Sequence, residues 1–188
     1  MHGRTSKRIA AAIALLTAAT LGNLGFSGAA PSAQAASTST SAPTLTLINC
    51  FQLYSAFNNH SNAGVIESDS NLYFNAPGAT NFCQWRVGTT NNVVIRLDGF
   101  EECLALNASL NRVYLHGVSG CDGTLSYTVW HFAPISGGYY ALQLQYDYQG
   151  IGVNKPCLYS GFAPATVASC ASAGTDQFFQ YLPVYLNG

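Results

Sequence analysis

Three aromatic segments recur along the chain at similar intervals: Gln84–Val87 (QWRV), Val129–Phe132 (VWHF) and Phe178–Tyr181 (FFQY). Their central rings are Trp85, Trp130 and Phe179, which are separated by 45 and 49 residues. Self-similarity at such a period is typical of proteins built from repeated supersecondary units. We therefore expect these three rings to meet in a common interior.

Each aromatic segment closes the same series of short apolar segments, rich in Val, Ile, Tyr, Phe and Leu and separated by Gly, Asn and Pro. The opening segments are TLTLI, VVIRL and YALQL, the second are VIES, CLAL and CLYS, and the third are LYF, VYL and TVA. Segments of this length and composition predict β-strands, and no helix is predicted. The sequence thus predicts an all-β protein with three four-strand repeats at 44–88, 89–134 and 135–182, which is a β-trefoil. A Greek-key sandwich is the main alternative.

Composition narrows the range of functions. Of the 188 residues, 48% are apolar and only 8% are charged, with a formal net charge of −1. So apolar a chain does not fit an intrinsically disordered protein, and seven Lys and Arg residues do not provide a nucleic-acid-binding face. A surface of Asn, Ser, Thr, Gly and Tyr suits an extracellular protein that works among neutral partners such as glycans.

The N-terminus has the features of a secretory signal. Three cations within the first eight residues precede the uncharged apolar run Ile9–Leu21, and small residues ending in Ala33-Gln34-Ala35 follow it. The run is too short for a membrane span of about 20 residues, so no membrane insertion is expected. We expect a signal peptide at residues 1–36, a disordered leader at 37–43 and one domain at 44–188, exported from a bacterium.

All six cysteines lie after the predicted signal peptide. An even number of cysteines in an exported chain predicts three disulfides, which can be connected in 15 ways. No CxxC motif is present, so a zinc site or a thioredoxin-like redox site is not favoured.

At these residues the chain resembles the ricin-B-type β-trefoil family. The second repeat matches it through CLAL, RVYLHGVSGC and VWHF, and the third through CLYS, TVASC and QFFQY. The first repeat is a looser match, because VIES lacks the cysteine and Cys83 precedes Gln84-Trp85. The resemblance implies the disulfides Cys103–Cys121 and Cys157–Cys170, which leaves Cys50 for Cys83.

The resemblance also implies sugar binding, because the family binds galactose-type sugars in shallow pockets, one in each repeat. Such a pocket needs a carboxylate just after the Cys-Leu step, to accept hydrogen bonds from sugar hydroxyls, and a ring to stack on the sugar. Ala105 and Tyr159 occupy the carboxylate positions of the second and third repeats, so we expect both of those family pockets to be inactive.

The first repeat retains more of the family pattern. Its predicted sugar site consists of Glu67 at the carboxylate position, Asp69 on the same face, Tyr73 as the platform, and Asn81 or Gln84 as the amide. The alternative is that Glu67 and Asp69 are ordinary solvated carboxylates and that Tyr73 serves in packing.

The sequence predicts a monomeric, lectin-like binding module without a cofactor or metal. A β-trefoil that binds proteins or inhibits proteases through its loops, such as 58–64 and 134–138, is the alternative. An enzyme is not expected. His60, His116 and His131 lie in no catalytic motif, and adjacent Glu101 and Glu102 would point to opposite faces of a strand.

Overall fold

The structure is a computed structural model that describes residues 41–56, 62–148, 152–170 and 177–184. All of these residues belong to one compact unit, Thr40–Gly188. The predicted signal peptide, most of the predicted leader and His60 lie outside the described residues. Within the described ranges, no helix has the length and hydrophobicity needed to cross a membrane.

In the described ranges the regular structure consists of strands and two short 3₁₀ turns, Ser126–Thr128 and Ser136–Gly138. The strands are Leu45–Ser55 (β1), Asn62–Ala63 (β2), Val65–Ile66 (β3), Leu72–Tyr73 (β4), Asn81–Val87 (β5), Asn92–Leu97 (β6), Cys103–Asn107 (β7), Arg112–His116 (β8), Val129–Pro134 (β9), Tyr140–Leu144 (β10), Asp147–Tyr148 (β11), Val153–Asn154 (β12), Cys157–Tyr159 (β13), Thr166–Ala168 (β14) and Phe179–Pro183 (β15).

Six of these strands close into a barrel. β1 pairs with β5, β5 with β6, β6 with β9, β9 with β10, β10 with β15, and β15 again with β1. All six pairings are antiparallel, so adjacent strands run in opposite directions around the whole ring. This closure excludes the two-sheet sandwich considered from the sequence.

Three hairpins lie between the barrel strands, one in each repeat: β3–β4, β7–β8 and β13–β14. They are joined to one another by backbone hydrogen bonds. The Val113 N–H donates to the carbonyl of Ala165 at 2.8 Å, and the Ala165 N–H donates to that of Leu72 at 2.7 Å. Two barrel strands and one hairpin per repeat give the β-trefoil predicted from the sequence.

The barrel interior corrects one expectation. Trp130 and Phe179 are fully buried in the core, but Trp85 is half-buried and lies on the outer face, with the Arg96 guanidinium 5.2 Å from its ring centroid. Side chains alternate between the two faces of a strand, so Phe82 and Trp85 cannot both point inward. Phe82 is the fully buried ring that β5 contributes to the core.

Strand β1 is longer than the predicted opening segment TLTLI, which ended at Ile48. A bulge between Leu47 and Asn49 shifts the register of β1 against β5. Beyond the bulge, Phe51 and Leu53 are fully buried, whereas Leu47 before it and Ile48 within it are about two-fifths exposed. Because of the bulge, one continuous strand has exposed apolar side chains in its first part and core side chains in its second part.

All three disulfides implied by the family resemblance are present, and each lies within one repeat. Cys50–Cys83 joins directly paired residues of β1 and β5, whose Cα atoms are 3.9 Å apart. Cys103–Cys121 connects the start of β7 to the segment after β8, and Cys157–Cys170 connects the start of β13 to the segment after β14.

Candidate functional site

The sugar site predicted in the first repeat falls on the β3–β4 hairpin. Its turn is closed by a hydrogen bond from the Ser70 N–H to the Glu67 carbonyl at 2.9 Å. Asp69 accepts three hydrogen bonds from this hairpin: from the backbone N–H of Asn71 at 3.1 Å, from the Asn71 amide at 2.7 Å and from the Tyr73 hydroxyl at 2.8 Å. Asp69 and Tyr73, both predicted to contact the sugar, therefore contact each other.

These contacts alter the titration of both groups. The hydrogen bonds from Asn71, together with that from Tyr73, hold the pKa of Asp69 below its ordinary value. The same carboxylate, by accepting from the phenol, raises the pKa of Tyr73. Hydrogen bonds to a carboxylate stabilise its charged form, so Asp69 is an ionised turn residue at neutral pH.

The amides predicted for this site lie on the barrel wall. The Asn81 side-chain oxygen accepts from the Gln52 amide at 2.9 Å, and the Gln84 amide donates to Asn49. Both partners belong to β1, which pairs with β5. The structure thus brings Asp69 and Tyr73 into contact, with Glu67 in the same turn, and turns the side chains of Asn81 and Gln84 toward a different element.

A different cleft opens at the boundary of the second and third repeats, with a volume of about 340 Å³. Its lining comes from the end of β7, from β8, from the 3₁₀ turn before β9 and from the residues just after β10. The lining residues are Leu106, Asn107, Ala108, Tyr114, Tyr127 and Tyr146. We call this site the tyrosine cleft.

The rings of the tyrosine cleft form a continuous chain of contacts. The ring of His116 lies edge-on between those of Tyr114 and Tyr127, with centroid distances of 5.7 and 5.6 Å. Tyr127 in turn contacts Tyr146 edge-on at 6.4 Å, and Tyr146 stacks on Tyr148 at 6.5 Å. Edge-to-face packing is a favoured geometry for aromatic pairs and fixes ring orientation.

Hydrogen bonds anchor this chain of rings to the backbone. His116 Nε2 donates to the Ser119 carbonyl at 2.9 Å, and Nδ1 lies 2.7 Å from the Tyr114 hydroxyl. The Tyr148 hydroxyl donates to the Ala108 carbonyl at 2.7 Å. Burial, with a smaller contribution from Tyr127, raises the pKa of Tyr114, so its phenol stays neutral at physiological pH. The tyrosine cleft is therefore a preorganised and uncharged surface.

Sequence reasoning missed this cleft because its parts belong to different repeats. Tyr127 precedes β9 in the second repeat, whereas Tyr146 follows β10 in the third. Comparing one repeat with the family pattern drew attention to Ala105, which is fully buried. The concentration of tyrosines between residues 114 and 148 was the available signal.

A third surface feature surrounds Trp85. A groove of about 320 Å³ is lined by Trp85 and Arg96, by exposed Leu47 and Phe100, and by neighbouring residues including Asp98. The sulfurs of Cys50 and Cys83 and a carboxylate oxygen of Asp98 all lie within 4.8 Å of one another. Both sulfurs belong to one disulfide, so they are not thiolates that could bind a metal.

The sequence matches no protein-family model and no curated protein. Solved structures resemble the fold. The GlcNAcα1-4Gal-releasing endo-β-galactosidase from Clostridium perfringens matches with a TM-score of 0.57 at 12% identity, over 73% of this chain and 33% of that one. This chain thus spans about a third of the length of that enzyme.

Two smaller proteins match over nearly their whole length. The designed 3-fold symmetric protein ThreeFoil has a TM-score of 0.54 at 17% identity, over 72% of this chain and 99% of its own. The BEL beta-trefoil has a TM-score of 0.53 at 17% identity, over 72% of this chain and 93% of its own. At these identities the likeness supports the β-trefoil fold alone.

Proposed function

We propose that this chain is a secreted carbohydrate-binding module of the ricin-B-like type, and that its binding site is the tyrosine cleft. The observation that carries the proposal is the composition of the cleft. Three tyrosines and one asparagine line a hollow in which no lining residue has a formal charge. Sugars offer apolar C–H faces and neutral hydroxyls, and aromatic rings with phenol and amide groups complement both.

The arrangement of the rings also favours binding, because it reduces the conformational entropy that side chains lose when a ligand binds. Tyrosine has few rotatable bonds and loses little conformational entropy when a ligand binds. Here the rings of Tyr114 and Tyr127 are already held by His116. A ligand that enters the cleft meets a surface that needs little reorganisation.

The solved structures support a carbohydrate-related function. A β-trefoil resembling this chain occupies about a third of an enzyme described as an endo-β-galactosidase. A module that holds a glycan is the role we assign to this fold. Export follows from the predicted signal peptide and fits three disulfides, which persist in oxidising compartments.

The test is a glycan-array screen of residues 37–188, followed by calorimetric titration of the best neutral glycan. We expect Tyr127→Ala to weaken binding at least tenfold, which corresponds to about 1.4 kcal/mol. Phe100→Ala removes an exposed ring outside the cleft and is the matched control. Unchanged affinity in Tyr127→Ala would overturn the assignment of the site.

The same titration distinguishes the two candidate sites. Glu67→Ala and Tyr73→Ala alter the β3–β4 hairpin, which shares no lining residue with the tyrosine cleft. Loss of binding in these variants, with binding retained in Tyr127→Ala, would place the sugar at the hairpin instead. An array with no glycan bound would reject the sugar-binding function and favour a loop-mediated protein partner.

A further inference from the structure

A second aromatic hollow lies in the third repeat, with a volume of about 450 Å³. Its lining residues are Asn111, Tyr159, Phe162, Thr166, Val167, Ala168 and Ser169. The ring of Phe162 is 64% exposed, and its centroid lies 5.5 Å from that of Tyr159. We call this site the Phe162 pocket. Its lining also carries no formal charge.

The tyrosine cleft and the Phe162 pocket lie on the two sides of one hairpin tip. Asn107, the last residue of β7, lines the former, and Asn111, in the turn that joins β7 to β8, lines the latter. The turn is tight, since the Leu110 N–H donates to the Asn107 carbonyl at 3.3 Å. Paired strands lie about 4.8 Å apart, so the ridge between the two sites has roughly the width of one hairpin.

The hairpin tip is held to the third repeat by Asn111. Its side-chain amide donates to the Val167 carbonyl at 3.3 Å, and its side-chain oxygen accepts from the Val167 N–H at 3.4 Å. Asn111 thus bonds to β14 as a neighbouring strand would. This contact fixes the positions of the tyrosine cleft and the Phe162 pocket relative to each other.

The ridge carries one exposed aliphatic side chain beside the exposed polar side chains of Ser109 and Arg112. Leu110, at the hairpin tip, is 59% exposed. The surface therefore runs from tyrosine rings, over an exposed aliphatic side chain, to the Phe162 ring.

We infer that the tyrosine cleft and the Phe162 pocket are subsites of one extended site, and that the ligand is a linear neutral oligosaccharide or polysaccharide chain rather than a single terminal sugar. This inference rests on the proposed sugar-binding function. One sugar unit occupies the tyrosine cleft, the chain crosses Leu110, and a later unit stacks on Phe162. The absence of charged lining residues in both sites selects a neutral chain over a uronate, sulfated glycan or charged peptide.

The experiment is a calorimetric titration with oligosaccharides of increasing length, from monosaccharide to hexasaccharide, in galactan, mannan, cellulose and chitin series. We expect affinity in one series to rise at least tenfold between the monosaccharide and the tetrasaccharide. Phe162→Ala should remove this gain while leaving monosaccharide affinity within about twofold, because the first subsite is intact. Phe100→Ala should behave like the wild type.

A second variant alters the Phe162 pocket without removing the exposed ring of Phe162. A Cβ at Gly161 would lie 2.6–2.8 Å from the Tyr159 ring, so Gly161→Ala must displace that ring. We expect it to reduce the length-dependent gain as well. Equal thermal midpoints for the variants and the wild type would show that both changes act locally.

The outcomes separate the two proposals. Affinity that is independent of chain length, or a gain that persists in Phe162→Ala, overturns the extended site and leaves the tyrosine cleft as the binding site. Monosaccharide binding that is unaffected by Tyr127→Ala overturns the proposed site itself. If no series binds, the proposed function and the extended site both fail.

Discussion

At the scale of single residues, the two tryptophans show how the position of a ring on its strand determines what it does. Trp130 is fully buried, and its indole N–H donates to the Leu104 carbonyl at 2.9 Å. Trp85 is half-buried on the outer face, in contact with Arg96. Both residues belong to barrel strands and recur in sequence, yet only Trp130 is part of the core.

We therefore predict very different costs for removing each ring. Trp130→Ala should lower the free energy of unfolding by about 3–5 kcal/mol, because it creates a core cavity and leaves a buried carbonyl unpaired. Trp85→Ala should cost about 1 kcal/mol, the size of a partly exposed cation–π contact. Urea unfolding of both variants measures the difference, and equal costs would contradict the outward placement of Trp85.

Asp69 provides a pH-dependent prediction. Its folded-state pKa is below the ordinary value of about 3.9, so folding favours the charged carboxylate. That stabilisation is fully present above the unfolded-state pKa and is lost as the pH falls through the folded-state pKa. Asp69→Asn should thus lower the thermal midpoint at pH 7, and the difference from the wild type should vanish in strong acid.

The exposed carboxylate of Asp147 is the control for this measurement, because it lies on β11, outside the β3–β4 hairpin. Asp147→Asn should show no such difference at pH 7. A midpoint difference for Asp69→Asn that stayed constant from pH 7 to strong acid would show that its charge does not stabilise the turn.

At the scale of elements, the three hairpins are secured by different chemistry. β7–β8 and β13–β14 each carry a disulfide from their first strand, whereas the first repeat uses its disulfide to join β1 and β5. The tip of β3–β4 is held instead by the hydrogen bonds of Asp69. Two of the three equivalent hairpins are therefore secured by a disulfide, and the third is secured by hydrogen bonds.

The disulfide of the third hairpin gives a prediction at this scale. Cys157 and Cys170 are 13 residues apart, and closing a loop of this size stabilises a fold by about 3 kcal/mol in the chain-entropy model. Replacing both cysteines by serine should lower the free energy of unfolding by about this amount in chemical denaturation. The paired change Cys103→Ser with Cys121→Ser, which opens a loop with a separation of 18, is the comparison.

Replacing Cys157 and Cys170 by serine should also reduce the increase in affinity with oligosaccharide length. The reason is that the β13–β14 hairpin contains Tyr159 and Phe162, which line the Phe162 pocket. Unfolding free energies that match the wild type would show that the hairpin is held by its other contacts, including those between Asn111 and Val167.

At the scale of the whole molecule, the sequence was enough to predict the β-trefoil and its three repeats. Each repeat contains its own strand signals in a fixed order, and its cysteines pair within the repeat. The face on which Trp85 lies was not predictable from spacing, because the alternation of side chains makes a shift of one residue reverse the face. The bulge in β1 is a shift of this kind.

The tyrosine cleft was not predictable for a related reason. The cleft depends on which repeats are neighbours and on the strand register between them. Neither can be predicted from the sequence of a single repeat. Tyr127 and Tyr146 are 19 residues apart, yet β9 and β10 pair directly and bring their ends together. Family comparison found the β3–β4 hairpin because it searched within one repeat, where Asp69 and Tyr73 contact each other.

The pairing of β15 with β1 has a consequence for engineering. The Val184 N–H donates to the Cys50 carbonyl at 3.0 Å, so the last described segment of the domain lies alongside its first strand. A short linker can join these two segments, and the backbone can be cut instead in the exposed turn at Thr89–Thr90. Circular permutants made in this way would begin with the second repeat and keep every strand neighbour, so the module can be inserted into a host protein in more than one orientation.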